Sequence, residues 1–102
     1  MPVAYVIMRA LADPRITSTI ALKSLGIWGS HADERGVIHP TDDGQQVTDP
    51  SYIANALGVS RGAAFKAFGV LDDLGYIEWD RASGNERKTG ITGRIRILTS
   101  AQ

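Results

Sequence analysis

The chain contains no cysteine. That excludes disulfide frameworks, cysteine-based zinc sites and thiol chemistry, and it fits a cytoplasmic protein. Long apolar runs are also missing, so no transmembrane helix and no membrane partner are expected. The tract "MPVAYVIMRALA" ends in Ala10-Leu11-Ala12, which has the small-x-small form of a cleavage site. No basic residue precedes its apolar stretch and Arg9 interrupts it, so the tract reads as part of the fold rather than as a leader. There is no excess of charge of either sign, with 11 Lys and Arg against 11 Asp and Glu. Catalytic groupings are absent as well. No Ser-His-Asp or paired-carboxylate arrangement has local support, and His31 and His39 stand away from metal-ligand spacing with Asp33 or Glu34. "TDDG" at 41–44 lacks the ligand spacing and terminal glutamate of a calcium loop. The expectation is a protein that is not an enzyme and uses no metal or cofactor.

What remains is 102 residues with 43% hydrophobic content, the size and composition of one soluble domain. Such a domain is marginally stable, and oligomerisation would help it. The zero net charge hides an asymmetry. Residues 1–60 hold four Lys and Arg against six Asp and Glu; residues 61–102 hold seven against five. Between 81 and 96 stand Arg81, Arg87, Lys88, Arg94 and Arg96 with Glu86 as the one acid. A local basic patch of this kind governs attraction to phosphate more than net charge does. The plainer reading is a glycine-rich loop kept soluble by its charges.

Local signals divide the chain into short elements. "VAYVIMRALADP" reads as an extended segment or a short helix, stopped before Pro14. Thr17 or Ser18 caps the next helix, in which Ile20, Leu22, Leu25, Ile27 and Trp28 are apolar and Gly36 is the expected stop. Gly26 and Gly29 in its interior weaken that helix or mark close packing. "VIHP" is β-like, and "TDDGQQVTD" is a polar loop. Asp49 caps a helix that starts at Pro50, buries Tyr52, Ile53, Ala56 and Leu57, and ends at Gly58. Ser60 caps the following helix, where Ala64, Phe68, Leu71 and Leu74 define one face and Gly75 follows in the left-handed conformation. Trp28 and Trp79 are read as core anchors. "YIEWD" and "RIRIL" alternate as strands around the polar tract "RASGNERKTGITG", which makes a β-hairpin with a long tip.

The segment "YIANALGVSRGAAFKAFGVLDDLGYIEW" resembles a winged helix-turn-helix DNA-binding domain, in its Ala54, Gly58, Ser60 spacing and its "LDDLGYI" ending. The upstream "ADPRITSTIALKSLGIWGSHADERGVIHP" is similar to the first helix and following segment of helix-turn-helix proteins encoded by phages, plasmids and actinobacterial chromosomes. The resemblance covers roughly residues 11–98. It implies an α+β fold with a three-helix core and a C-terminal β-hairpin wing. Residues 1–102 would form a single domain, with 1–16 as an N-terminal extension and 81–94 as the wing loop.

The resemblance also implies a function: a cytoplasmic regulator of transcription from a phage or mobile element, bound to double-stranded DNA as a homodimer. Helix 60–74 would enter the major groove. Carried onto this sequence, the groove-facing set is Arg61, Gly62, Phe65, Lys66 and Gly69, with the Ser60 hydroxyl and the helix start available to a phosphate. Arg61 is the strongest candidate for a bidentate guanine contact, Lys66 for phosphate or guanine, and Phe65 for thymine methyl groups. Arg81, Arg87, Lys88, Arg94 and Arg96 would supply the wing's phosphate contacts, although the alternation in Arg94-Ile95-Arg96 turns one strand face away from DNA. This helix has few polar readers, so affinity would rest on phosphates and shape. Two other readings stay open: a winged-helix protein-interaction module docking through Phe65, and a replication or excision accessory factor. For Phe65 itself the plainer alternative is a core residue on a rotated helix. Residues 3–12 and the apolar first helix are the expected dimer surface.

Overall fold

A computed structural model describes residues 2–80 and 94–99. Its order is α1 (Val3–Ala12), α2 (Thr19–His31), α3 (Pro50–Leu57), α4 (Arg61–Asp73), β1 (Ile77–Asp80) and β2 (Arg94–Ile97), a mixed α+β arrangement. Residues 81–93, most of the expected wing loop, lie outside the described residues, and Arg81, Arg87 and Lys88 with them.

Residues 3–12 are helical rather than extended. α1 buries Val6 and Ala10, and half-buries Val3 and Ile7, on one stripe facing α2. The approach is close because Gly29 of α2 has no side chain; a Cβ there would collide with Ile7 Cδ1. Gly26 is exposed and meets nothing, so only one of the two helix glycines marks packing. Ser18, not Thr17, caps α2: its Oγ accepts a hydrogen bond from the Ala21 N–H at 3.1 Å.

α2 stops at His31, five residues before the expected Gly36. Asp33 is the cause. Its Oδ1 accepts from the backbone N–H groups of Arg35 (2.9 Å) and Val37 (3.2 Å), which offers the chain a turn in place of another helical turn. Gly36 completes that turn with φ +82°. The chain is thereby delivered to β2, where Val37 bridges Arg96 and the Ile97 N–H donates to the Gly36 carbonyl at 2.9 Å. The β-like reading of "VIHP" thus corresponds to two isolated bridges, Val37 with Arg96 on the edge of β2 and Ile38 with Ala32.

β1 and β2 pair antiparallel, with Ile77 opposite Ile97 and Trp79 opposite Ile95. Ile77, Ile95 and Ile97 are buried and Trp79 is half-buried, while Glu78, Asp80, Arg94 and Arg96 are exposed, the alternation of a one-sided sheet. α3 buries Pro50, Ile53 and Ala54, leaving Ala56 exposed and Tyr52 and Leu57 half-buried. The expected Ala56 is therefore displaced by Ala54 on the packed face. α4 buries Ala64, Ala67, Phe68 and Leu71; Leu74 is only half-buried. At the centre, Trp28 is fully buried, its ring edge-to-face with Phe68 at 4.7 Å and its Nε1–H donating to the Val47 carbonyl at 2.8 Å.

A polar clamp closes the side of this core. The Tyr76 hydroxyl donates to Asp13 Oδ2 at 2.6 Å, and Arg15 holds the same carboxylate through Nε and Nη2. The Arg15 hydrogen bonds, then that of Tyr76, keep the Asp13 carboxyl far below the usual carboxylate range. A depressed folded pKa means that the stabilisation is fully present above the unfolded value of about 3.9 and is lost as pH falls below it. In denaturant titrations, Asp13→Asn should therefore differ most from the parent at neutral pH, and the difference should shrink steadily as pH falls below about 4. A difference that stays constant down to pH 2 would mean that Asp13 does not act through its charge.

Candidate nucleic-acid interface

The local chemistry of residues 49–63 sets two helices around a tight turn. Asp49 Oδ1 accepts from the Ser51 N–H at 2.8 Å, with Pro50 as the first residue of α3. Gly58 takes φ +68°, ending α3, and the Val59 N–H returns to the Ala54 carbonyl at 3.0 Å. Ser60 then caps α4, its Oγ accepting from the Ala63 N–H at 3.0 Å. That hydroxyl is exposed but already serves the helix.

Burial of Ala64, Ala67, Phe68 and Leu71 fixes the rotation of α4. Arg61, Gly62, Phe65 and Lys66 are consequently exposed, while Gly69 is half-buried further along the same side. Arg61 reaches back to α3, its Nε–H donating to Ser51 Oγ at 3.1 Å. This contact is made through Nε; a guanidinium carries further donors on its two Nη groups, in a fork that suits an oxyanion or a guanine edge. A Cβ added at Gly62 would meet open space, so no described residue packs against this point of the helix.

Phe65 lies between its two expected roles. It is 39% exposed, yet its ring packs edge-to-face on Trp79 at 4.8 Å. Trp79 in turn meets Phe68 at 5.6 Å, and Phe68 meets Trp28. A run of four aromatic rings thus leads from the buried centre to the exposed side of α4. Trp79 is half-buried within this run, not a fully enclosed anchor. The Trp79 N–H also points to Asp72 Oδ1 at 3.4 Å, which ties the end of α4 to β1.

Arg94 and Arg96 share the outward face of β2. Arg96 Nη2 lies 3.7 Å from Glu78 Oε2, and Arg94 stands opposite Asp80 in the strand register. Acids across the ladder therefore offset the basic character of this strand, an offset of modest energy at an exposed site. Sequence signals point to neither Ser51 behind Arg61 nor Trp79 beneath Phe65 as part of the site. The alternation of "YIEWD" does place Trp79 on the inner sheet face, but its pairing with Phe65 depends on how α4 crosses β1.

The remaining polar groups build turns. His39 Nε2 lies 3.0 Å from Asp33 Oδ2, the Thr41 hydroxyl bonds Asp43, and Thr41 Oγ1 accepts from the Gln45 N–H. Among the described residues no three His, Cys, Asp or Glu converge as a metal site, and no helix is long and apolar enough to cross a membrane. Comparison with protein-family models, with curated proteins and with solved structures finds no match to this chain.

Proposed function

We propose that the chain binds double-stranded DNA as a winged helix-turn-helix protein, with α4 entering the major groove and the tract 81–94 acting as the wing. The observation that carries this reading is the stripe Arg61, Gly62, Phe65, Lys66: it opens the second helix of a tight α3–α4 pair and is exposed along its length. The bridge from Val37 to β2, outside the β1–β2 pair, supports the same layout. Regulation of transcription in a phage or mobile element, in the cytoplasm, is the role that fits best. A replication or excision factor would use the same residues and differ in where its sites lie.

The division of labour follows from the side chains. Lys66 and the Nη groups of Arg61 neutralise phosphate or meet guanine, Phe65 offers an apolar surface to thymine methyl groups, and Gly62 lets the backbone come near. The outward face of the β1–β2 pair alternates in charge, so phosphate binding by the wing would rest mainly on Arg81, Arg87 and Lys88.

The test is binding to random-sequence duplex across a salt series, followed by selection of bound sequences. Parent protein should lose affinity steeply with salt. Arg61→Ala combined with Lys66→Ala should weaken binding about 100-fold at low salt and flatten the salt slope by about 2, one per lost contact. Unchanged affinity in the double variant would remove α4 from the interface. No binding of the parent at low salt would sink the DNA reading and favour a protein docked on the exposed Phe65.

A further inference from the structure

Two helix caps bring Ser51 and Arg61 together. Asp49 caps α3 and Pro50 opens it, so Ser51 is its second residue; Ser60 caps α4, so Arg61 is its first. Side chains on a helix lean toward its N-terminus. Arg61 therefore leans out of α4 toward the turn and α3, away from Phe65 and Lys66 one turn further on. Its Nε–H donates to the Ser51 Oγ at 3.1 Å. Both residues are exposed, and among the described residues no carboxylate forms an ion pair with Arg61. Asp49, two residues before Ser51, accepts from the Ser51 N–H through Oδ1 at 2.8 Å.

We infer that Ser51 is a positioning residue, which holds the Arg61 guanidinium on α3 so that Arg61 meets a backbone phosphate and not a guanine edge. The inference rests on the DNA-binding reading above and decides between the two contacts that reading leaves to Arg61. In a helix-turn-helix docking the second helix lies in the major groove while the first crosses the phosphate backbone. A guanidinium bonded to the first helix stays beside that backbone. A base reader at the same position would have to extend along α4, and extension breaks the bond to Ser51. The tethered group suits a phosphate as it stands: with Nε taken, it still carries the paired Nη donors and its full charge.

Holding the side chain matters because arginine is rich in rotamers. A contact made by an unrestrained arginine orders the whole side chain at the moment of binding, and such ordering weakens binding about 3–10-fold per side chain. Ser51 removes that loss by ordering Arg61 in the free protein. The pair then supplies affinity and register without sequence preference, as phosphate contacts do. Base preference falls to Phe65 and Lys66, one turn further along α4.

Ser51→Ala is a mild change to the fold, because the Asp49 cap uses the Ser51 backbone N–H and the side chain is exposed. Its thermal midpoint should match the parent. In the free protein, the Arg61 Nε–H resonance should exchange slowly with water and lose that protection in Ser51→Ala, while Ser51→Thr, which keeps a hydroxyl, retains it. On duplex DNA, Ser51→Ala should bind about 3–10-fold more weakly than the parent, yet change affinity by less than about 2-fold when Arg61→Ala is already present. Arg61→Ala alone should weaken binding about 10-fold, lower the salt slope by about 1 and leave the selected base preferences as they are. A neutral methylphosphonate at one backbone position should weaken the parent by a similar factor and leave Arg61→Ala unaffected. Three results would each overturn the assignment while the DNA reading stands: a base preference altered by Arg61→Ala, an equal loss from Ser51→Ala with and without Arg61, or Nε–H protection that survives Ser51→Ala. A parent that binds no duplex at low salt would remove the DNA reading and the assignment with it.

Discussion

Trp28→Ala is expected to leave most of the chain unfolded at 37 °C. The indole is fully buried, and three separate losses coincide when it is removed. Truncating a buried aromatic to alanine costs about 3–5 kcal/mol in transfer and cavity terms. The edge-to-face contact with Phe68 disappears with it. The Val47 carbonyl also loses its Nε1–H donor, and an unsatisfied buried acceptor adds about 1–3 kcal/mol. Set against about 5–15 kcal/mol for a whole domain, the total consumes most of the available stability. Trp28→Phe separates the contributions, because it keeps a ring beside Phe68 and removes only the donor and part of the volume. It should fold, with a urea midpoint lowered by the equivalent of about 1–3 kcal/mol. A Trp28→Ala protein that melts within a few degrees of the parent would show that the core does not depend on this side chain.

The second large effect falls on a residue with no side chain at all. Gly36→Ala should destabilise the fold by about 3 kcal/mol or more, through two independent causes. Its φ of +82° is left-handed, which costs an L-residue roughly 1–2 kcal/mol. The added Cβ would also collide with the carbonyl oxygen of Ile97, which is backbone and cannot turn aside. Because the Ile97 N–H bonds the Gly36 carbonyl, moving the strand away breaks the link that the turn provides. Gly75→Ala is the matched control: its φ is +83° and an added Cβ there meets nothing, so only the conformational cost of about 1–2 kcal/mol should appear. Equal losses at the two positions would mean that the sheet edge yields easily.

These two residues also mark where sequence reasoning succeeds and where it stops. The caps at Ser60 and Asp49, the left-handed glycines 58 and 75, and the packed face of α4 are legible because each depends on neighbours within four residues. The strand alternation is legible for the same reason. Gly36 reads as a helix stop, since a glycine after an apolar run commonly is one. The winning influence is Asp33, whose carboxylate captures two backbone N–H groups and turns the chain toward β2. Composition does not tell Ala54 from Ala56; the crossing of α3 over α4 selects between them. At the candidate site, the exposed positions of α4 follow from periodicity. The Arg61–Ser51 contact and the support of Phe65 by Trp79 do not, because both join residues whose proximity only the tertiary arrangement creates.

The run of rings from Trp28 to Phe65 has an optical consequence. The two tryptophans of the chain occupy different surroundings. One indole is sealed in the core with its N–H bonded to a carbonyl; the other is half-buried beneath a phenylalanine that faces solvent. Emission from the first reports whether the core is intact. Emission from the second senses the water around Phe65, so anything that settles on that side of α4 changes its colour and its access to small quenchers. The molecule carries its own fluorescent label at the place where a ligand would arrive, with an internal reference next to it in the core.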